Sequence, residues 1–191
     1  MVFYVVSFCE FDMKYAVISC SLNPGSRSRL LAKSAVDGFR SVGVEVVDYV
    51  DLAELALPMC DGGAAYGDEN VIELKQRLVE TDGYVIASPI YNFDVNAACK
   101  NMIEMTGRDV WTDKVVGFLC AAGGKSSYMS VMGLGNSLML DFRTVVVPRF
   151  VYATGEDFIE STSGHVTSDE IAERVSQLVS EVIRFSHGLR Q

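Results

Sequence analysis

Residues 15–42 read YAVISCSLNPGSRSRLLAKSAVDGFRSV. Tyr15-Ala16-Val17-Ile18-Ser19 is short, apolar and β-branched, the pattern of a strand covered on both faces. A polar turn follows, Ser21-Leu22-Asn23-Pro24-Gly25-Ser26-Arg27-Ser28, carrying three hydroxyls, an amide, a guanidinium and a glycine. From Arg29 to Val42, Leu30, Leu31, Ala35, Val36 and Phe39 recur at helical spacing on one face. Buried strand, polar loop and amphipathic helix form the first half of a βαβ unit.

The alternation continues outward from there. Further strands are predicted at Val44–Tyr49, Gly83–Ser88, Val115–Cys120 and Thr144–Val147. Helices are predicted at Asn70–Thr81, Ala97–Thr106, Tyr128–Leu140 and Ser168–Phe185. The last shows the clearest stripe, Ile171, Val175, Leu178, Val179, Val182 and Ile183, behind a Thr167-Ser168-Asp169-Glu170 cap. Five strands alternating with five helices predict an α/β parallel sheet with helices on both faces. Ligands in such folds sit beyond the C-terminal strand ends, so the loops there carry the functional signal. The longest irregular stretch, Leu57 to Asp68, is long enough to be functional.

A length of 191 residues corresponds to one domain. Hydrophobic residues make up 49% and charged residues 21%, which excludes a disordered chain. The net charge of −9, with no Lys/Arg cluster, argues against nucleic acid as a partner. The two histidines, His165 and His187, lie near the C-terminus, which argues against a histidine metal site or a histidine triad. Cys9, Cys20, Cys60, Cys99 and Cys120 are odd in number and contain no C-x-x-C, so they read as reduced thiols of a cytoplasmic protein. Residues 1–12 hold an apolar run without a basic flank, too short for a membrane span. They are expected to be an extension ahead of a domain over 13–191. Trp111 reads as a packing or dimer-contact residue.

Four familiar α/β motifs are missing. Cys20 to Gly25 lacks the glycines of a dinucleotide fingerprint, and Gly133-Leu134-Gly135 lies inside a helical segment. Gly124-Lys125-Ser126 matches the tail of a P-loop, but Leu119 stands at its first glycine. No acidic residues follow the first strand as in a response regulator. No G-x-S-x-G elbow occurs.

Three loops remain. The first, Ser21 to Ser28, leads into a helix whose N-terminus offers unpaired N–H groups to a phosphate. The same residues would also make an ordinary capped turn. The second, Ser88-Pro89-Ile90-Tyr91-Asn92-Phe93-Asp94, mixes aromatic faces with polar edges, which a flat heterocycle requires. Its plainer reading is a capped helix start with Tyr91 and Phe93 in the core. The third, Cys120 to Ser127, contains Ala121-Ala122-Gly123-Gly124, small residues that let a ligand approach the backbone. Its plainer reading is a turn with Ser126 or Ser127 as N-cap and Lys125 solvated. A phosphate pocket beside a flat pocket points to a mononucleotide.

The chain resembles the NADPH-dependent FMN reductase family from about Lys14 to Tyr152. Ser21 and Ser26 match the two serines of that family's first loop. Asn23 and Ser28 stand where arginine and asparagine are common, and Cys20 where glycine is. Pro89-Ile90-Tyr91-Asn92 and Lys100-Asn101-Met102-Ile103 match the second signature, with Ile90 at a position often occupied by glutamate. Gly123-Gly124 matches the third, and Asp51 to Asp61 resembles the family's Leu-Pro stretch.

The resemblance implies a flavodoxin-like three-layer sandwich with strand order 2-1-3-4-5. It implies non-covalent FMN, its phosphate on Ser21, Asn23, Ser26, Arg27 and Ser28. The ring would lie against Pro89, Ile90, Tyr91, Asn92, Phe93 and the turn Ala122, Gly123, Gly124 and Lys125. NADPH or NADH would deliver hydride to the flavin, which would then reduce a flavin, quinone, azo dye or metal ion. No side chain is required as acid or base, and no metal ligand is assigned. The resemblance further implies a homodimer or homotetramer, with Leu57 to Asp68 as a wall over the flavin or a dimer contact. A flavodoxin-type electron carrier and a non-catalytic module on the same fold are the alternatives.

Overall fold

The computed structural model describes residues 13–44, 47–158 and 168–190. The leading segment with Cys9, His165 and the Thr167 end of the last cap lie outside the described residues, as does part of the strand predicted from Val44.

Alternation of buried side chains builds the sheet. β1 (Tyr15–Ser19) runs parallel between β2 (Val47–Asp51) and β3 (Gly83–Tyr91). β3 turns back into the two-residue β4 (Asp94–Val95). On its other side β3 pairs parallel with β5 (Val115–Ala121). The outermost position is shared by β6 (Val145–Val146), against the start of β5, and β7 (Val151–Ala153), against its end. Counted by position, this is the order 2-1-3-4-5. The strand predicted at Thr144–Val147 is only half of the fifth position. Val147 still donates to the Val116 carbonyl, and then Pro148, which has no N–H to donate, interrupts the ladder until Val151.

The helices are α1 (Arg27–Ser41), α2 (Glu69–Leu78), α3 (Ala97–Thr106), α4 (Arg108–Trp111), α5 (Met132–Phe142) and α6 (Asp169–Leu189). α1 and α6 cover one face, where Val17, Val85, Val115 and Leu119 meet Leu31, Ala35, Val175, Leu178 and Val182. α2 to α5 cover the other, where Ile18, Tyr84, Ile86, Val116 and Phe118 meet Leu74, Met102, Ile103, Leu134 and Leu138. Both faces are apolar because both are buried, which is why the strands read as continuous hydrophobic runs.

The helix ends follow local chemistry. Asp68 caps α2 by accepting the Asn70 N–H, and Ser168 caps α6 by accepting that of Ile171. α5 begins at Met132 rather than Tyr128, which follows a single 3-10 turn at Lys125–Ser127 and packs its ring at a tilt against Phe150 and edge-on against Tyr152. Trp111 is fully buried beside Tyr84, and its indole N–H donates to Thr106 Oγ1 at 2.8 Å. Among the described residues no helix is long and apolar enough to cross a membrane.

Candidate cofactor site

Because β1, β3 and β5 are neighbours, the loops after them converge. Asn23, Gly25, Ser26, Arg27 and Ser28 from the first line one cleft with Pro89 to Asn92 from the second and Ala121 to Gly123 from the third. Its volume is about 760 Å³, within the range of sites for cofactor-sized ligands.

The first loop is a β-turn built by its own side chains. Ser26 N–H donates to the Asn23 carbonyl at 3.1 Å. Pro24 takes the second place of the turn, which its fixed φ favours. Asn23 Oδ1 accepts the Gly25 N–H at 3.0 Å, and Ser21 Oγ accepts the Asn23 N–H at 3.2 Å. Ser21 is buried and shapes the turn from behind rather than lining the cleft. α1 starts at Arg27, two residues earlier than its periodicity predicts, with Ser26 at the N-cap position. Yet Ser26 makes no capping bond, and its hydroxyl lies 2.8 Å from that of Ser28. The first turn therefore offers uncapped N–H groups and a positive dipole end where Ser26, Arg27 and Ser28 border the cleft.

The second loop is a tight hairpin. Tyr91 pairs with Asp94 across Asn92 and Phe93, whose φ angles are +51° and +64°. Two successive positive φ values define the turn that suits twisted hairpins, normally filled by Asn-Gly. A phenylalanine there costs about 1–2 kcal/mol. Packing does not repay it, since Phe93 is 66% exposed and Tyr91 53%. Neither belongs to the core. Strain together with exposed aromatic surface is the mark of a binding element rather than a packing one. Ile90 remains buried at the cleft wall.

The third loop is held from below. Tyr152 donates to the Gly124 carbonyl at 2.5 Å, and its oxygen lies 2.6 Å from Ser127 Oγ. Ser127 thus serves Tyr152 instead of capping α5. A Cβ on Gly123 or Gly124 would meet nothing within 4 Å, and neither has a positive φ. Nothing in the fold itself requires glycine there. The open space beside Gly123 is the cleft. Gly124 and Lys125 line an adjoining recess with Arg27, Thr154 and Glu156, where Lys125 lies 3.5 Å from the Glu156 carboxylate.

Two bracing residues escape any reading of loops alone. Asn96, just before α3, donates to the Cys20 carbonyl at 2.7 Å and accepts from Ser88 Oγ at 3.1 Å. It ties the first loop to the second. Arg29 reaches back from α1 to the Ser21, Asn23 and Pro24 carbonyls and pairs with Asp51 at the end of β2. Asn96 has no local signal, its partner being distant in sequence. Arg29 does have one, since a cation in the first helical turn opposes the macrodipole and calls for a carboxylate partner.

Asn96→Leu keeps the branched shape of the side chain but removes the donor to the Cys20 carbonyl, while Ser88 still bonds to the Pro89 carbonyl and the backbone N–H of residue 96. The expected loss is about 1–3 kcal/mol in urea unfolding. Ligand binding in the cleft should weaken, because both loops come loose together. Unchanged ligand titrations would show that the bridge has no part in the cleft.

The thiols near the cleft are inert. Burial pushes the Cys20 thiol far up, with Cys99 beside it adding to the shift, and pushes Cys120 up to about 12. Both stay protonated and shielded, so neither is a nucleophile at neutral pH.

A parallel sheet with an anion-receptive helix start and a flat, partly apolar slot at adjacent strand ends defines a mononucleotide-binding flavodoxin-like protein. The NADPH-dependent FMN reductase family model matches residues 13–158, and the chain belongs to that family. It is an NAD(P)H-dependent flavin oxidoreductase with FMN as its flavin. An NAD(P)H-dependent FAD/FMN reductase of Geobacillus thermodenitrificans is 28% identical, covering 93% of this chain and 96% of its own length. An NADPH:quinone oxidoreductase of Arabidopsis thaliana is 27% identical over 93% of this chain and 94% of its own. Among solved structures, the NAD(P)H:(acceptor) oxidoreductase of Paracoccus denitrificans superposes with a TM-score of 0.73 at 22% identity, covering 92% and 98% of the two chains.

Proposed function

We propose that the cleft holds FMN by the residues that line it and that the protein transfers reducing equivalents from NAD(P)H to a flavin or quinone acceptor. Asn23, Ser26, Arg27 and Ser28 would receive the phosphate, with Ser21 shaping their turn. Pro89 to Phe93 and Ala122 to Lys125 would flank the ring. The observation that carries this reading is the uncapped start of α1, where the Ser26 hydroxyl is paired with that of Ser28 and leaves the helix N–H groups open to an anion.

When bound, FMN supplies the hydride and electron chemistry that amino-acid side chains lack. The chain's part is to bind and orient. The helix start balances the phosphate charge, and the Tyr91–Asp94 hairpin and the Gly123-Gly124 backbone present hydrogen-bonding groups to the ring edge. The exposed faces of Tyr91 and Phe93 offer apolar surface for a second planar molecule. We also read the protein as a cytoplasmic homodimer or homotetramer. Exposed Met59 and Tyr66, on recesses beside α3, support a contact between copies.

Flavin-loaded protein, freed of excess FMN and mixed anaerobically with NADPH or NADH, should lose its visible flavin absorbance rapidly. Flavin that is retained without bleaching would favour an electron carrier reduced by a protein partner. Failure to retain flavin would remove the basis for the site.

A further inference from the structure

A receptor made of backbone N–H groups works only if the neighbouring carbonyls point elsewhere, because a carbonyl oxygen facing a phosphate dianion repels it. In the first loop those carbonyls are held by side chains. Arg29 donates to Asn23 O at 2.9 Å, Pro24 O at 2.7 Å and Ser21 O at 3.3 Å. Asn96 holds Cys20 O from the opposite side. Arg29 itself does not line the cleft, whereas Arg27 does.

Its charge is also largely cancelled. Arg29 Nε lies 2.5 Å from Asp51 Oδ2, with side chains only 14% and 5% exposed. A second bond joins its other nitrogen to Asp51 Oδ1 at 3.2 Å. Asp51 is fixed in turn by the Ala53 N–H at 3.1 Å. The planar guanidinium can reach three carbonyls and a carboxylate together, which an ammonium cannot. Arg29 thus acts on the loop rather than on the ligand.

We propose that Arg29, seated on Asp51, is the positioning residue that makes the cleft select phosphorylated over unphosphorylated flavin. By drawing the Ser21, Asn23 and Pro24 carbonyls to the rear of the loop, it leaves donors alone to face the phosphate. The inference rests on the FMN reading above and adds the residue that decides between FMN and riboflavin.

The test is a pair of equilibrium titrations of flavin-free protein, with FMN and with riboflavin, read by flavin fluorescence. The unmutated protein should bind FMN at least about a hundredfold more tightly than riboflavin. Arg29→Gln should weaken FMN by about thirtyfold or more and riboflavin by less than about threefold, with the melting temperature recording the separate effect on folding. Arg29→Lys retains the charge without the fork and covers the case in which Arg29→Gln does not fold. It should still lose about tenfold for FMN. Wild-type FMN affinity in Arg29→Lys would mean that charge suffices and would overturn the proposal. Equal losses for both flavins would overturn it too, as the sign of a general structural role. Equal affinities of the unmutated protein for FMN and riboflavin would instead remove the phosphate reading beneath it.

Discussion

Ser26→Asp is expected to make the protein more stable and unable to hold FMN. Ser26 occupies the N-cap of α1 with φ −71° and ψ 130°, the conformation from which a side chain can cap, yet it forms no cap. An aspartate there would accept the free N–H groups of the first turn and complement the positive end of the helix dipole with a full negative charge. The expected gain is about 0.5–1 kcal/mol, which corresponds to about 1–4 °C in melting temperature for a chain of this size. The same carboxylate would occupy the anion position. A negative charge about 4 Å from another costs about 4 kcal/mol near a protein surface, so the FMN dissociation constant should rise by at least about a hundredfold. Thermal unfolding of flavin-free protein and an FMN titration are the two measurements. A stabilised variant that binds FMN normally would put the phosphate somewhere other than the start of α1. The opposite signs matter, because a merely damaged protein would lose both properties.

The uncapped serine also shows how far the sequence can be read. Buried runs such as Val115–Cys120 and the stripe from Ile171 to Val182 are local patterns, and they produce the sheet and α6 as expected. The convergence of three loops follows from strand order, which the alternation of elements and the family resemblance convey. What escapes is either long-range or a choice between two local chemistries. Asn96 is 76 residues from Cys20, whose carbonyl it holds. Ser21 and Ser26 look alike as hydroxyls beside a helix start, but one turns inward to shape the loop and the other faces the cleft. Phe93 offers a core residue by type, whereas the hairpin that pairs Tyr91 with Asp94 turns it outward. Pro148 divides the last strand position in two, so that β7 and the Tyr152 support of the third loop are concealed behind a sequence that reads as a strand ending.

Gly117→Val should be strongly destabilising, and it separates a glycine that builds the fold from one that borders the cleft. Gly117 lies in β5 beneath α6, and a Cβ there would stand 2.9 Å from Val182 Cγ2 and 3.0 Å from Leu178 Cδ1. Both neighbours are fully buried, so neither can swing into solvent. A valine adds two further methyl groups to that gap. α6 must then lift from the sheet, opening contacts along Val175, Val179 and Val182. The expected cost is about 3 kcal/mol or more, seen as a melting temperature lower by about 6–12 °C. Gly123→Val, six residues on, provides the contrast. Its Cβ meets no protein atom within 4 Å and its backbone is not in the left-handed region. Unfolding should change by less than about 0.5 kcal/mol, while the branched side chain projects into the cleft and excludes the flavin. A Gly123→Val protein that retains FMN would show that the ring does not approach this turn. A Gly117→Val protein of unchanged stability would mean that α6 does not press on β5 as closely as the packing of Val182 and Leu178 requires.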